Sequence, residues 1–290
     1  VKNNTIGCGI LPVAKDEKGR TCFLLAKEQH VPYWRGSHKW SAFEGGRHVG
    51  ESIEETAIRE WTEESVDSIL PLTTDMLVNK DDVCKYTLNV IQNKKTKLQN
   101  NNNKYHVTYA VEIPYNEEYT SIFKKNRDAL ISFNNFSQHL KSINNDIIDI
   151  EDVDEKKVRV NENYEQCDVS RDDERIVEIS HLTKSIDDMM LIFSNLPGVA
   201  ITRYKNNMIK NIVVNEDYLE KEKLRWWTLG ELKDVLYNGG RIEDEVFRVY
   251  FLPVLEGMVD FFSNIDDNTC HECSIVDTWD GLSLMNKLSL

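Results

Sequence analysis

Apolar positions cluster in short runs along the first 30 residues and then thin out. "TIGCGILPVA" (5–14) and "TCFLLAKEQ" (21–29) read as two strands around the turn "KDEKGR", where Lys18-Gly19 supplies the flexible point. A loop from His30 to Gly50 leads into a segment with helical spacing. There Ile53, Ala57 and Trp61 recur at i, i+4 and i+8 and form a stripe that can seat on a core. Two further strands are expected near 83–93 and 104–113, separated by "KTKLQNNNN".

From 115 to 200 the pattern changes. Helix-like pieces around 116–142 and 185–195, the second with Ser185 and Asp188 spaced as a capping box, flank an acidic, asparagine-rich centre at 144–176. This stretch reads as an inserted, mainly helical lobe. The sheet is expected to resume at "MIKNIVVN", followed by a strand, a Trp pair and a short helix in "LEKEKLRWWTLGELKDVLYNGG". A last amphipathic helix over 242–262 is expected to bury Val246, Phe247, Tyr250 and Phe251 and to kink at Pro253. The resulting divisions are 1–114, the insert 115–200, 201–264, and a polar tail 265–290.

The helix after Gly50 carries unusual charge. At about 100° per residue, Glu63 and Glu64 fall within roughly 60° on either side of Glu60, so three carboxylates share one face. Two carboxylates ~5.5 Å apart repel by about 3 kcal/mol at an effective dielectric near 20, so that face calls for a cation. Arg59 can supply one, pairing with Glu63 at i+4 or Glu55 at i−4, with solvent screening the rest.

The order of residues adds to the spacing. Gly45, five residues, Glu51, seven residues, then Arg59-Glu60-Trp61-Thr62-Glu63-Glu64 resembles the Nudix box, Gly-x5-Glu-x7-Arg-Glu-U-x-Glu-Glu-x-Gly-U with U a bulky apolar residue. Val66 stands where the pattern has its last glycine, and Asp67 where it has its last apolar residue. A β-branched valine resists the left-handed conformation that ends such a helix, so a different ending is expected.

The resemblance covers roughly 5–113 and 210–262, with the box at 45–66, and implies an α/β fold: an α/β/α sandwich around a mixed sheet. It also implies Mg2+ or Mn2+ and hydrolysis of a nucleoside diphosphate linked to a group X. Carried over residue by residue, Glu60 and Glu64 hold a metal with the Gly45 carbonyl, Glu63 binds a second ion or orients water, and Glu51 and Arg59 buttress them. A fourth carboxylate from outside the box is expected as ligand or base. Glu222 is the candidate, with Glu220 nearly as good.

For the group X, Trp34, Trp40 and Trp226 are candidate stacking surfaces, although Trp40 and Trp226 serve equally as anchors of the sheet edge. The chain carries 35 basic and 49 acidic residues, a net −14, which argues against nonspecific coating of nucleic acid and makes any RNA contact local. Positive residues do cluster, at Lys94, Lys95 and Lys97, at Lys124, Lys125 and Arg127, and at Arg203, Lys205 and Lys210. Layout and composition resemble, more weakly, the Nudix mRNA-decapping enzymes of large DNA viruses. That resemblance implies capped RNA as partner and methylated GDP as product. Diphosphoinositol polyphosphates, dinucleoside polyphosphates and nucleotide sugars are the small-substrate alternative, and a Nudix-fold binding protein without catalysis is a third.

Six scattered cysteines imply no disulfide framework and fit reduced thiols in a cytoplasmic setting, the host cytoplasm if the protein is viral. Cys270 and Cys273 have the spacing of half a zinc site, but a second pair is missing. No run approaches 18 apolar residues and no targeting signal opens at Val1, so no membrane partner is expected. Oligomeric state is not legible.

Overall fold

The predicted hairpin is present as β1 (Thr5–Lys15) and β2 (Thr21–Glu28), which pair antiparallel with Val13 opposite Phe23. The computed structural model describes residues 5–78, 83–90, 104–158, 169–193, 196–203, 207 and 209–267. Among the described residues, β1 also pairs antiparallel with β4 (Phe43–Gly46) and parallel with β6 (Lys104–Glu112), and β6 pairs antiparallel with β5 (Val83–Val90). β2 in turn pairs antiparallel with β3 (Lys39–Ser41) on one edge and with β9 (Lys221–Thr228) on the opposite edge. The sheet is therefore mixed.

Strand alternation distributes its side chains to two faces. Ile10, Phe43 and Tyr109 stand side by side in register and face α1 (Ile53–Ser65), where the Trp61 ring meets Phe43 edge-on at 4.9 Å and the Tyr109 hydroxyl donates to Glu54 at 2.8 Å. The alternate residues Leu11, Val13, Phe23, Leu25 and Ala110 join Trp40 and Trp227 in a second core. Leu232 and Val235 of α5 (Leu229–Tyr237) and Leu255, Met258 and Val259 of α6 (Leu252–Asp267) cover it. Helices on both faces of a mixed sheet make this an α/β sandwich.

The C-terminal helix is shorter than expected. Residues 241–247 form β10 (Arg241–Ile242) and β11 (Glu245–Phe247), and β11 lies parallel to β3 with Phe247 opposite Trp40. Pro253 falls in the first turn of α6, where an N–H has no helical partner, so it opens the helix and does not kink it. Tyr250, expected in the core, is 79% exposed on the loop before that helix.

The chain divides into two compact units, one of residues up to Lys124 and from Glu220 onward, the other Lys125–Leu219. The second unit is mainly helical, as expected of the insert. It holds most of α3 (Glu118–Val158), α4 (Val169–Ile192), the hairpin β7 (Val199–Arg203) and β8 (Ile209–Val214), and a 3-10 turn at Glu216–Leu219. Its core joins Phe133 and Leu140 to Leu182, Ile186, Ile209 and Ile212. Three details differ from the sequence reading. "MIKNIVVN" pairs with β7 in a separate two-stranded sheet and does not resume the main one. Ser185 and Asp188 lie inside α4, which begins sixteen residues before Ser185 at Val169. Both ends of the asparagine-rich centre are helical, since residue preference is a weak guide against the drive to complete long helices.

Lys94, Lys95, Lys97, Lys205, Cys167, Cys270, Cys273 and the tail beyond 267 lie outside the described residues. Cys8 and Cys22 are buried and not in a disulfide. No helix among the described residues is long and apolar enough to cross a membrane.

Candidate active site

Helix α1 starts where its sequence says it should. Ser52 caps it by accepting from the Glu55 N–H, and Glu55 reciprocates on the Ser52 N–H at 2.6 Å. Glu55 is thus committed to the cap, and Arg59 turns to the other side. Its Nη1 lies 2.8 Å from both Glu60 Oε1 and Glu63 Oε2, its Nε 2.8 Å from Glu51 Oε1, and its Nη2 donates to the Gly46 carbonyl at 2.8 Å. One guanidinium therefore ties together three glutamates of the box and the backbone of β4.

The other end of the helix corrects an expectation. Val66 is left-handed, at φ 54° and ψ 35°, and its N–H reaches the carbonyls of Glu63 and Thr62 as a glycine there would. The conformation costs a β-branched residue about 1–2 kcal/mol. Complete burial of the Val66 side chain, together with the Trp61 indole donating to the Leu70 carbonyl at 3.0 Å, offsets that strain. The missing glycine leaves the helix ending intact.

Gly45 sits in β4 opposite Cys8. A methyl group at its Cα would overlap both oxygens and the carboxyl carbon of Glu60, so glycine is required for the carboxylate to lie against the strand. Glu64 is buried beside it, and both of its oxygens are engaged. Oε2 accepts the Glu44 N–H at 2.7 Å and Oε1 lies 2.8 Å from Lys221 Nζ. Lys221 also reaches Glu28 Oε1 at 2.6 Å, and that oxygen accepts from Ser41 at 2.9 Å and from Arg248 at 2.9 Å. Arg248 lies 3.9 Å from Glu44, and His106 lies 3.5 Å from the same carboxylate.

These contacts set the ionisation of the cluster. Burial pushes the Glu60 carboxyl up to about 7, with the charges of Glu63 and Glu220 adding to the shift and Arg59 opposing it. Burial, with Glu28 and Glu60, also raises Glu64 against the pull of Lys221. Glu51 goes the other way. Burial works against it, but hydrogen bonds from Arg59, the His48 N–H and Thr56 bring it down to about 2. The ammonium of Lys221 is held charged by Glu64 and Glu28 although burial opposes this.

Among the described residues no group of three or more His, Cys, Asp and Glu is arranged around a common point where a metal ion could sit. The carboxylates are drawn instead to Arg59, Lys221 and backbone N–H groups. The donor chemistry nonetheless fits Mg2+ or Mn2+. Glu28, Glu44, Glu51, Glu60, Glu63 and Glu64 are hard oxygen donors, and among the described residues Arg59, Lys221 and Arg248 are full cations that meet them.

The two candidates for the fourth carboxylate lie in different surroundings. Lys223 opposes Lys27 and Lys221 opposes Glu28, so Glu222 is the extra residue of a β-bulge. Its carboxylate pairs with His38 Nδ1 at 2.9 Å, away from the box glutamates. Glu220 precedes the bulge, its carbonyl accepts from the Gln29 N–H at 2.8 Å, and its charge acts on Glu60.

The tryptophans separate as well. Trp40 is fully buried and its indole donates to Glu245 at 2.7 Å, so it is a core anchor and no base can stack on it. Trp226 donates to the Asn116 carbonyl and packs its ring on Tyr115 at 5.0 Å. Trp34 is exposed. Lys124 and Lys125 are exposed on α3, with Arg127 partly buried. Sequence reasoning missed Lys221, Glu28 and Arg248. The one available signal was a charged residue at the end of each apolar strand, in "LLAKE" and "EKEKL".

Solved structures with detectable similarity include a C. elegans Ap4A hydrolase, 21% identical over 40% of this chain and 69% of that one, with a TM-score of 0.25. A Nudix hydrolase of M. smegmatis, RenU, is 14% identical over 39% of this chain and 63% of that one, TM-score 0.27. The NUDIX domain of Shewanella oneidensis NrtR, in complex with ADP ribose, is 14% identical over 40% and 64%, TM-score 0.26. The similarity is to Nudix proteins. No family model matches the chain, and no curated protein matches it.

Proposed function

We propose that the chain is a Nudix-type pyrophosphohydrolase that cleaves a nucleoside-diphosphate-X substrate with Mg2+ or Mn2+. The observation that carries this reading is the seating of Glu60 against Gly45, with Glu63 and Glu51 tied to it through Arg59 and Glu64 buried at its side. Glu60, Glu63 and Glu64 would hold the metal with the Gly45 carbonyl. A metal held there would supply polarisation of the diphosphate and neutralisation of the charge that builds as the P–O bond breaks. Arg59 and Glu51 fix the helix face against β4 throughout. Glu63 or Glu220 would take a proton from the attacking water, a role that the action of the Glu220 charge on Glu60 supports.

Within that reaction we propose the mRNA cap as the substrate, giving methylated GDP and a 5′-monophosphate RNA. Exposed Lys124 and Lys125 and an exposed Trp34 on an otherwise acidic chain support it, since a cap plus RNA body requires both a phosphate track and an aromatic surface.

The test is incubation with Mg2+ or Mn2+ of capped RNA, a cap dinucleotide, ADP-ribose, Ap4A and a diphosphoinositol phosphate, with products separated by chromatography. Cleavage of a pyrophosphate linkage that is lost in Glu60→Gln is expected. Absence of cleavage across the panel overturns the hydrolase. Faster cleavage of diphosphoinositol phosphate than of capped RNA overturns the cap. Reversing the charges of Lys124, Lys125 and Arg127 together is expected to weaken capped-RNA binding and flatten its salt dependence, leaving the cap dinucleotide unaffected.

A further inference from the structure

Arg248 lies where the acidic centre meets the exposed loop between β2 and β3. One guanidinium nitrogen is 2.9 Å from Glu28 and 3.9 Å from Glu44, and the guanidinium carbon stands 5.5 Å from the centre of the Trp34 ring. Both residues are fixed by backbone. The Arg248 N–H donates to the Trp40 carbonyl at 2.9 Å, and its own carbonyl accepts from the N–H groups of Phe251 and Leu252 at the start of α6. The Trp34 indole folds back over its own loop onto Gly36, where any side chain would overlap it. The Trp34 and Ser37 N–H groups close that loop by donating to the Val31 and Trp34 carbonyls.

Exposure separates these groups from their neighbours. Trp34 is 42% exposed, while Trp40, Trp61 and Trp227 are buried and Trp226 is engaged by Tyr115 and Asn116. The Arg248 side chain is 24% exposed, whereas that of Lys221, the other cation on Glu28, is 0% exposed. A ligand arriving at this edge therefore meets Arg248 and cannot meet Lys221. An anion approaching Glu28, Glu44 and Glu64 is repelled unless a cation faces it, and the partly exposed indole over which that guanidinium lies is a surface on which an aromatic group can stack once the guanidinium turns to the anion.

We infer that Trp34 and Arg248 together form a nucleotide-recognition site, Trp34 stacking on the base and Arg248 contacting the adjoining diphosphate. The inference rests on the hydrolase reading above and deepens it by committing X-bearing substrates to an aromatic base. An inositol ring has no π-face for Trp34 to use.

The test uses α,β-methylene-ADP, whose P–C–P bridge resists hydrolysis, and methylenediphosphonate as its base-free counterpart, each titrated into the full chain with Mg2+. Quenching of tryptophan emission by α,β-methylene-ADP is expected in the wild type and lost in Trp34→Leu. That variant is expected to bind α,β-methylene-ADP about tenfold or more weakly and methylenediphosphonate unchanged. Arg248→Met is expected to weaken both ligands about tenfold. Arg248→Gln, which keeps a donor for Glu28, carries the same measurement where Arg248→Met does not fold. Wild-type affinity for α,β-methylene-ADP in Trp34→Leu, or equal losses for both ligands in that variant, overturns the stacking role. Unchanged diphosphonate affinity in the Arg248 variants overturns the phosphate role. Pyrophosphate cleavage that persists with Trp34→Leu unaltered sinks this site and leaves the hydrolase. Binding through Trp34 without any cleavage does the reverse.

Discussion

Lys221 Nζ lies 2.8 Å from Glu64 Oε1 with both side chains buried, so the last glutamate of the box is held by an ammonium from a strand more than 150 residues away in sequence. The same ammonium holds Glu28. Removing it leaves two carboxylates in the interior, of which Glu28 keeps its pair with Arg248. Lys221→Met is expected to destabilise the fold by about 3–5 kcal/mol in urea unfolding, the scale for a broken buried pair. A loss under about 1 kcal/mol would show that the charges are not coupled as described.

Close packing of Glu60 on Gly45 makes the strand as critical as the helix. Gly45→Ala and Glu60→Gln are each expected to lower turnover at least about a hundredfold, the first by displacing the carboxylate and the second by discharging it. Glu54→Gln is the control, because an amide oxygen still accepts from the Tyr109 hydroxyl. Normal turnover in Gly45→Ala would dissociate the Glu60 position from catalysis.

The raised Glu60 carboxyl has a signed effect on stability. Its folded-state value of about 7 exceeds the ordinary 4.5, so the metal-free fold binds the proton more tightly than the unfolded chain. That contribution is fully present below pH ~4.5 and is lost as pH rises through ~7, an effect on the order of 3 kcal/mol. Glu51, down at about 2, contributes in the opposite sense, and its part is lost only as pH falls from ~4.5 through ~2. Thermal unfolding in EDTA should therefore show melting temperature declining between pH 5 and 7, and Glu60→Gln should flatten the decline. An equal slope in that variant would assign the effect elsewhere.

Glu220 and Glu222 can be told apart. Because Glu222 pairs with His38 and Glu220 acts on Glu60, Glu220→Gln is expected to lower turnover and flatten the alkaline rise of the pH profile more than Glu222→Gln does. The reverse order would restore Glu222 as the base.

Local sequence determined the hairpin, the acidic helix with its shared carboxylate face, and the pairing of Arg59 with Glu63, since each depends on spacings within a few residues and on the fixed periods of strand and helix. Tertiary structure decided what surrounds that face. The bulge in β9 sends Lys221 inward to Glu28 and Glu64 and Glu222 outward to His38, a choice set by register against β2 that adjacent residues alone do not encode. Burial overrode local preference at Val66, where packing offsets a strained backbone, and at Trp40, which the core took from the surface. Residues 241–247 turned from helix to strand because β3 offered them a partner. The meeting of Trp34 with Arg248 likewise joins loops more than 200 residues apart, and long-range pairing of this kind is written in no single stretch of the chain.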